Sequence, residues 1–190
     1  MPWIHNVKNT DAVIAVDDRD CMEILRLFNE KPGKALLARQ GAADVFIESL
    51  PLLGISGIAN VLASIKLAKW YELSEEDVVV TILTDSMELY GSRVQELAKK
   101  DGELDAAHAN GIFRESLAGQ RTDNVLELTH PEKKRIHNLK YYTWVEQQGK
   151  KLDELNAQWA DPGYWTAVQG QAPRIDELIE DFNREAGTAR

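Results

Sequence analysis

Residues Val78 to Leu83 read VVVTIL, and the run stops at Thr84-Asp85-Ser86. A strand with one face in water alternates apolar and polar residues. An unbroken apolar run is stable as a strand where both faces are covered, as in the inner strands of parallel sheets with helical crossovers. A second such run, AVIAV from Ala12 to Val16, ends at Asp17-Asp18. Between the two runs the apolar spacing turns helical. Cys21, Ile24, Leu25 and Phe28 form one stripe, with Asp18 as its N-cap and Pro32-Gly33 as its end. A segment over residues 34–40 follows, then a long apolar helix in which Ile58, Val61, Leu62, Ile65 and Ala68 share a face. Strand, helices, strand, helix predicts an α/β fold, a helix-rich partial parallel sheet. Two strands alone leave open edges, so either helices cover them or further strands come from polypeptide outside this chain.

Beyond Ser86 the pattern is helical. Met87 to Lys100 carries Leu89 or Tyr90, Val94 and Leu97 inward, and the segment LDAAHANGIFRESLAG is moderately helical. Pro131 breaks the following stretch, KLDELNAQW is a short helix, and Arg174 to Glu185 is amphipathic through Ile175, Leu178, Ile179 and Phe182. The expected division is a domain over residues 1–130 and a helical extension over 131–190. The opening residues, with Trp3 and Ile4 in a loop-like context, suit either an arm folded onto its own domain or a surface that docks elsewhere.

Charge and cysteine usage narrow the function classes. With 190 residues and 44% hydrophobic content the chain has material for one cored domain and an extension. A net charge of −9 opposes nucleic acid and anionic membrane surfaces, both of which require a clustered positive field. The single cysteine, Cys21, rules out an internal disulfide framework and fits a reducing, cytoplasmic setting. No stretch approaches the ~18 apolar residues that mark a membrane span.

Ligands of parallel α/β sheets collect at the carboxyl ends of strands, which makes Thr84, Asp85 and Ser86 candidates. On local grounds Asp85 or Ser86 as a cap for the next helix is the stronger reading. Gly54, Ser56 and Gly57 in LLGISGIAN stand immediately before a helix, where free backbone N–H groups and small side chains can hold an anion. There too, Ser56 as a plain N-cap is the simpler reading. His5, His108, His130 and His137 show no metal-ligand spacing, and no Gly-x-Ser-x-Gly elbow supports a nucleophilic triad. Cys21 lies in an apolar helix, where burial keeps a thiol inert. YYTWVEQQG reads as a packing latch or subunit contact.

Taken together, GISGIANVLASIKLAKWYEL and DVVVTILTDSMELYGSRVQEL resemble the C-terminal half of the fold-type II pyridoxal-phosphate enzymes, the cysteine synthase, cystathionine β-synthase and threonine synthase group, from about Ile4 to Trp165. The tail HNLKYYTWVEQQGKKLDELNAQW is similar to the C-terminal extension of a bacterial beta-subunit subgroup of these proteins. The match is Gly54-Ile55-Ser56-Gly57, without the family's doubled serine, and Thr84-Asp85-Ser86, with threonine where the family commonly has proline. The resemblance implies a tryptophan synthase beta-like fold and pyridoxal 5'-phosphate as cofactor, bound in part by Ser86, Ser56, Gly57 and Asp85. It also implies β-elimination or replacement on a serine- or cysteine-like amino acid. Ser86 matches the serine that hydrogen-bonds the pyridine nitrogen, and Asp85 is expected to face a helix N-terminus or solvent. The family's Schiff-base lysine motif and glycine-rich phosphate loop do not occur in this sequence. The implied partner is therefore the upstream half of the enzyme, with self-association as the other outcome. A different reading is a non-catalytic helical interaction module derived from such an enzyme.

Overall fold

The computed structural model describes residues 5–188, so the docking surface expected around Trp3 and Ile4 lies outside the described residues. The chain forms two compact units: residues 13–126, and residues 1–12 together with 127–190. The chain crosses between them within two short strands, β1 (Ala12–Ile14) and β2 (Val125–Glu127), which pair with each other. Ala15 N–H donates to Asn124 C=O, and Leu128 N–H to Asp11 C=O, so the register advances on one strand as it retreats on the other. The sheet is antiparallel.

The expected parallel sheet is corrected on two counts. AVIAV is a strand only to Ile14, and its middle residue Val13 is exposed. Val78–Leu83 is neither helical nor paired. Among the described residues, no backbone N–H from Val78 to Thr84 has a hydrogen-bond acceptor in the chain. A strand exists only when a neighbour completes its ladder, and residues 13–126 offer none here.

The continuous unit is instead helical. Helix α1 (Asp18–Asn29) buries Cys21, Ile24, Leu25, Leu27 and Phe28, and each large aliphatic so buried contributes about 2 kcal/mol. Its N-cap is Asp17, not Asp18: the Asp17 carboxylate accepts from Arg19 N–H at 2.8 Å. Pro32 does not end this helix but lies in the first turn of α2 (Lys31–Arg39), where its missing N–H costs nothing. Gly33 lets α2 close on α1, since a Cβ there would lie 2.0 Å from the Leu27 carbonyl oxygen. Helix α3 (Asp44–Ser49) and a tight turn at Leu50–Leu52 lead to α4 (Ile55–Trp70), which buries Ile58, Leu62 and Lys66. The continuous helix expected from Met87 breaks into a tight turn, Met87–Leu89, and α5 (Gly91–Asp101). Leu97 is buried and Leu89 is exposed. Helix α6 (Ala106–Ile112) continues as a wide turn, Phe113–Leu117, and completes the core with Ala109 and Ile112.

The second unit is built on α7 (His130–Lys140), which opens with a capping box between Thr129 and Glu132 and holds Pro131 in its first turn. A wide turn, Tyr141–Glu146, buries Trp144, and α8 (Leu152–Ala160) adds Leu155. Short α9 (Tyr164–Gln169) precedes α10 (Ala172–Glu185). The amphipathic stripe of α10 is present, but Ile175, Leu178, Ile179 and Phe182 are all exposed. No single helix among the described residues is long and apolar enough to cross a membrane.

Candidate functional site

The two glycine- and hydroxyl-bearing motifs meet in the continuous unit. Gly54, the N-cap of α4, donates its N–H to the Asp85 carbonyl at 2.9 Å. A side chain at Gly54 would force Asp85 aside, because a Cβ would lie 2.1 Å from Asp85 Oδ1. The Asp85 carboxylate thus sits at the N-terminus of α4, where the aligned peptide dipoles favour negative charge. Its other oxygen accepts from the Tyr90 hydroxyl at 2.5 Å, and that bond raises the tyrosine pKa above its ordinary value. Asn60 reaches from α4 to the same segment and donates through Nδ2 to Ile82 C=O at 2.8 Å.

Neither serine caps a helix through its side chain, although Ser86 holds the N-cap position of the Met87–Leu89 turn. Ser56 lies in the first turn of α4, exposed, and the cap position belongs to Gly54. Ser86 is half-buried and precedes the Met87–Leu89 turn without a capping hydrogen bond from its side chain. Its hydroxyl makes no hydrogen bond to any described residue. Gly57 is buried under Leu53 and Leu83 and serves packing. Of the four expected ligand-binding residues, Asp85 and Ser86 adjoin the α4 N-terminus that carries Ser56 and Gly57.

A cleft that the sequence reading missed lies elsewhere in the same unit. It has a volume of about 820 Å³ and a lining that includes Asp20, Glu23, Lys66, Ser116, Gln120 and Asp123. Lys66 is almost wholly buried; its ammonium donates to Ala15 C=O at 2.9 Å and pairs with Asp123 at 3.1 Å. That hydrogen bond holds the Asp123 carboxyl below its ordinary pKa. Ser116 Oγ donates to Glu23 at 2.6 Å, and Gln120 Nε2 to Asp20 at 2.7 Å. These groups are committed to one another and form a structural network along the cleft. Its signal in the sequence is Lys66 at the fourth position after Leu62, itself the fourth after Ile58, a lysine on the inward stripe.

Burial pushes the Cys21 thiol up to about 11, well out of the reactive range. Among the described residues, no group of three or more His, Cys, Asp or Glu side chains is placed to hold a metal ion. His137 is buried with Nε2 3.0 Å from Leu155 C=O, and burial lowers its pKa to about 4. No protein-family model, curated protein or solved structure matches this chain.

Proposed function

We propose that this chain is the C-terminal part of a pyridoxal-phosphate-dependent lyase or synthase that acts by β-elimination or replacement on a serine- or cysteine-like amino acid. By itself it is catalytically incomplete. One observation carries the reading: the Gly54–Gly57 and Thr84–Ser86 motifs, far apart in sequence, are joined by the Gly54–Asp85 hydrogen bond beside an unengaged Ser86 hydroxyl. The bound cofactor supplies an electron sink for the substrate's α-carbon. Ser86 offers the ring nitrogen a neutral donor and so leaves it largely unprotonated, which suits a mild sink. Asp85, engaged by Tyr90 at the α4 N-terminus, is held to another role, and a carboxylate at the ring nitrogen would have the opposite effect. Because Asp85 already places a negative charge at that helix start, the cofactor phosphate is assigned to upstream polypeptide rather than to Ser56 and Gly57. The amine that binds the cofactor covalently is assigned there too, since the family's lysine motif does not occur in this sequence.

Visible absorbance tests the reading. The purified chain mixed with pyridoxal phosphate should show no protein-bound band. Co-purification with the polypeptide encoded immediately upstream should produce one, and Ser86→Ala should weaken cofactor retention by the pair about tenfold, the worth of one well-placed hydrogen bond. Absence of the band in the pair would refute it. The second reading, a non-catalytic helical interaction module, is favoured by the wholly exposed apolar stripe of α10. It predicts tight binding of an unrelated protein and no cofactor band under any pairing.

A further inference from the structure

The segment Val78–Leu83 has the composition of an inner strand and the environment of an outer one. Its exposures run 85%, 39% and 87% across Val78, Val79 and Val80, an alternation with the two-residue period of a strand. Ile82 and Leu83 are exposed as well, at 71% and 53%. One side is fixed to α4, through the Asn60 bond to Ile82 C=O and through Leu83 against Gly57. No backbone N–H from Val78 to Thr84 is satisfied within the described chain. The segment is therefore a ready-made position for strand addition, in which main-chain hydrogen bonds give affinity and alternate side chains fill pockets.

The flanking charges choose the occupant. Glu75, Glu76 and Asp77 precede the run, and Asp85 and Glu88 follow it. A second copy paired antiparallel would set the carboxylates of one end against those of the other. A second copy paired in parallel would set each cluster beside itself. Like charges facing across a ladder are destabilising, and each copy also brings a net charge of −9. An apolar strand with basic residues at both ends meets no such repulsion. We infer that Val78–Leu83 accepts, by strand addition, an apolar β-strand of another polypeptide that is flanked at both ends by lysine or arginine. This goes beyond the cofactor reading and does not depend on it.

The test uses the full chain and the fluorescently labelled peptide Lys-Lys-Thr-Val-Ile-Val-Thr-Lys-Lys. Saturable binding is expected by anisotropy, with amide exchange slowed at Val78–Thr84 in the complex alone. Val80→Pro, which removes one donor and blocks the ladder, should weaken binding at least about tenfold. It should leave the thermal transition unchanged, because Val80 packs on nothing. Replacing Glu75, Glu76 and Asp77 by lysine should erase the preference for lysine ends, so that the same peptide with glutamate ends binds comparably. Three results overturn the inference: no binding up to the solubility of the peptide, equal binding of a peptide N-methylated at alternate residues, or slow amide exchange at Val78–Thr84 in a free chain that sediments as a dimer. The last would make a second copy the occupant. None of these results involves pyridoxal phosphate, so each leaves the absorbance test standing.

Discussion

Gly54 and Gly33 are held by contacts that a methyl group would destroy, and the two differ in what could yield. At Gly54 the obstructing atom is a side-chain oxygen of Asp85, which can swing aside at the expense of its bond to Tyr90. At Gly33 the obstruction is the Leu27 backbone, 2.0 Å away, and α1 would have to shift. Both alanine variants should lose stability in urea denaturation, Gly54→Ala by about 1–2 kcal/mol and Gly33→Ala by about 3 kcal/mol. Equal losses would show that Asp85 is as rigid as backbone. Sequence pattern alone marked Gly54 correctly as a glycine before a helix but misjudged Ser56. Ser56 has the composition of a cap, yet a cap needs extended backbone, and here that geometry falls on Gly54. Local preference identifies residues able to cap; which of them does so depends on where the preceding turn delivers the chain.

Within elements, periodicity was the dependable guide. The α1 stripe was legible because each of its members is buried by neighbours from its own unit. The VVVTIL run misled for the complementary reason: apolar composition states that a strand wants two neighbours, not that the chain contains them. Helix α4 shows a subtler failure, since Lys66 hides in an otherwise apolar segment and only its position on the inward stripe betrays it. Lys66→Met should cost about 1–2 kcal/mol, because the Ala15 carbonyl loses its donor while half-exposed Asp123 returns to water. The acid side supplies an independent check. The folded Asp123 carboxyl has its pKa lowered by Lys66, so the pair's contribution is present above the ordinary aspartate range and fades as pH falls through the folded value. Urea midpoints below pH 5 should therefore fall less steeply in Lys66→Met than in the parent chain.

At the scale of the whole molecule, the division into units was legible only in part. The C-terminal helices were visible by their spacing, but the assignment of residues 1–12 to the same unit was not, since nothing in that short stretch names its partners. Those partners are polar. Lys133 donates to Lys8 C=O and pairs with Asp11, and Lys140 donates to His5 C=O at 2.7 Å and to Gln158 at 3.1 Å. Burial lowers Lys140 to about 8, and burial reinforced by the Lys140 charge lowers His137 to about 4. In both cases the unfolded chain holds the proton more tightly, so stability rises with pH, from about 4 to 6.5 for His137 and from about 8 to 10.5 for Lys140. A Trp70→Phe variant keeps Trp144, Trp159 and Trp165 in this unit, and its fluorescence-detected urea midpoint should climb through both windows. In His137→Gln the lower climb should vanish while the upper one remains.

The stacking of Lys8 and Lys134 on the Trp159 indole, with their ammonium groups 5.0 and 4.5 Å from the ring centre, also fixes an order of events during synthesis. Residues 13–126 form a continuous stretch that can collapse as soon as it clears the ribosome. The segment around Lys8, although translated early, must wait for Trp159 to emerge. A nascent chain arrested before Trp159 should therefore leave the segment around Lys8 open to protease while the helices of residues 13–126 are already resistant.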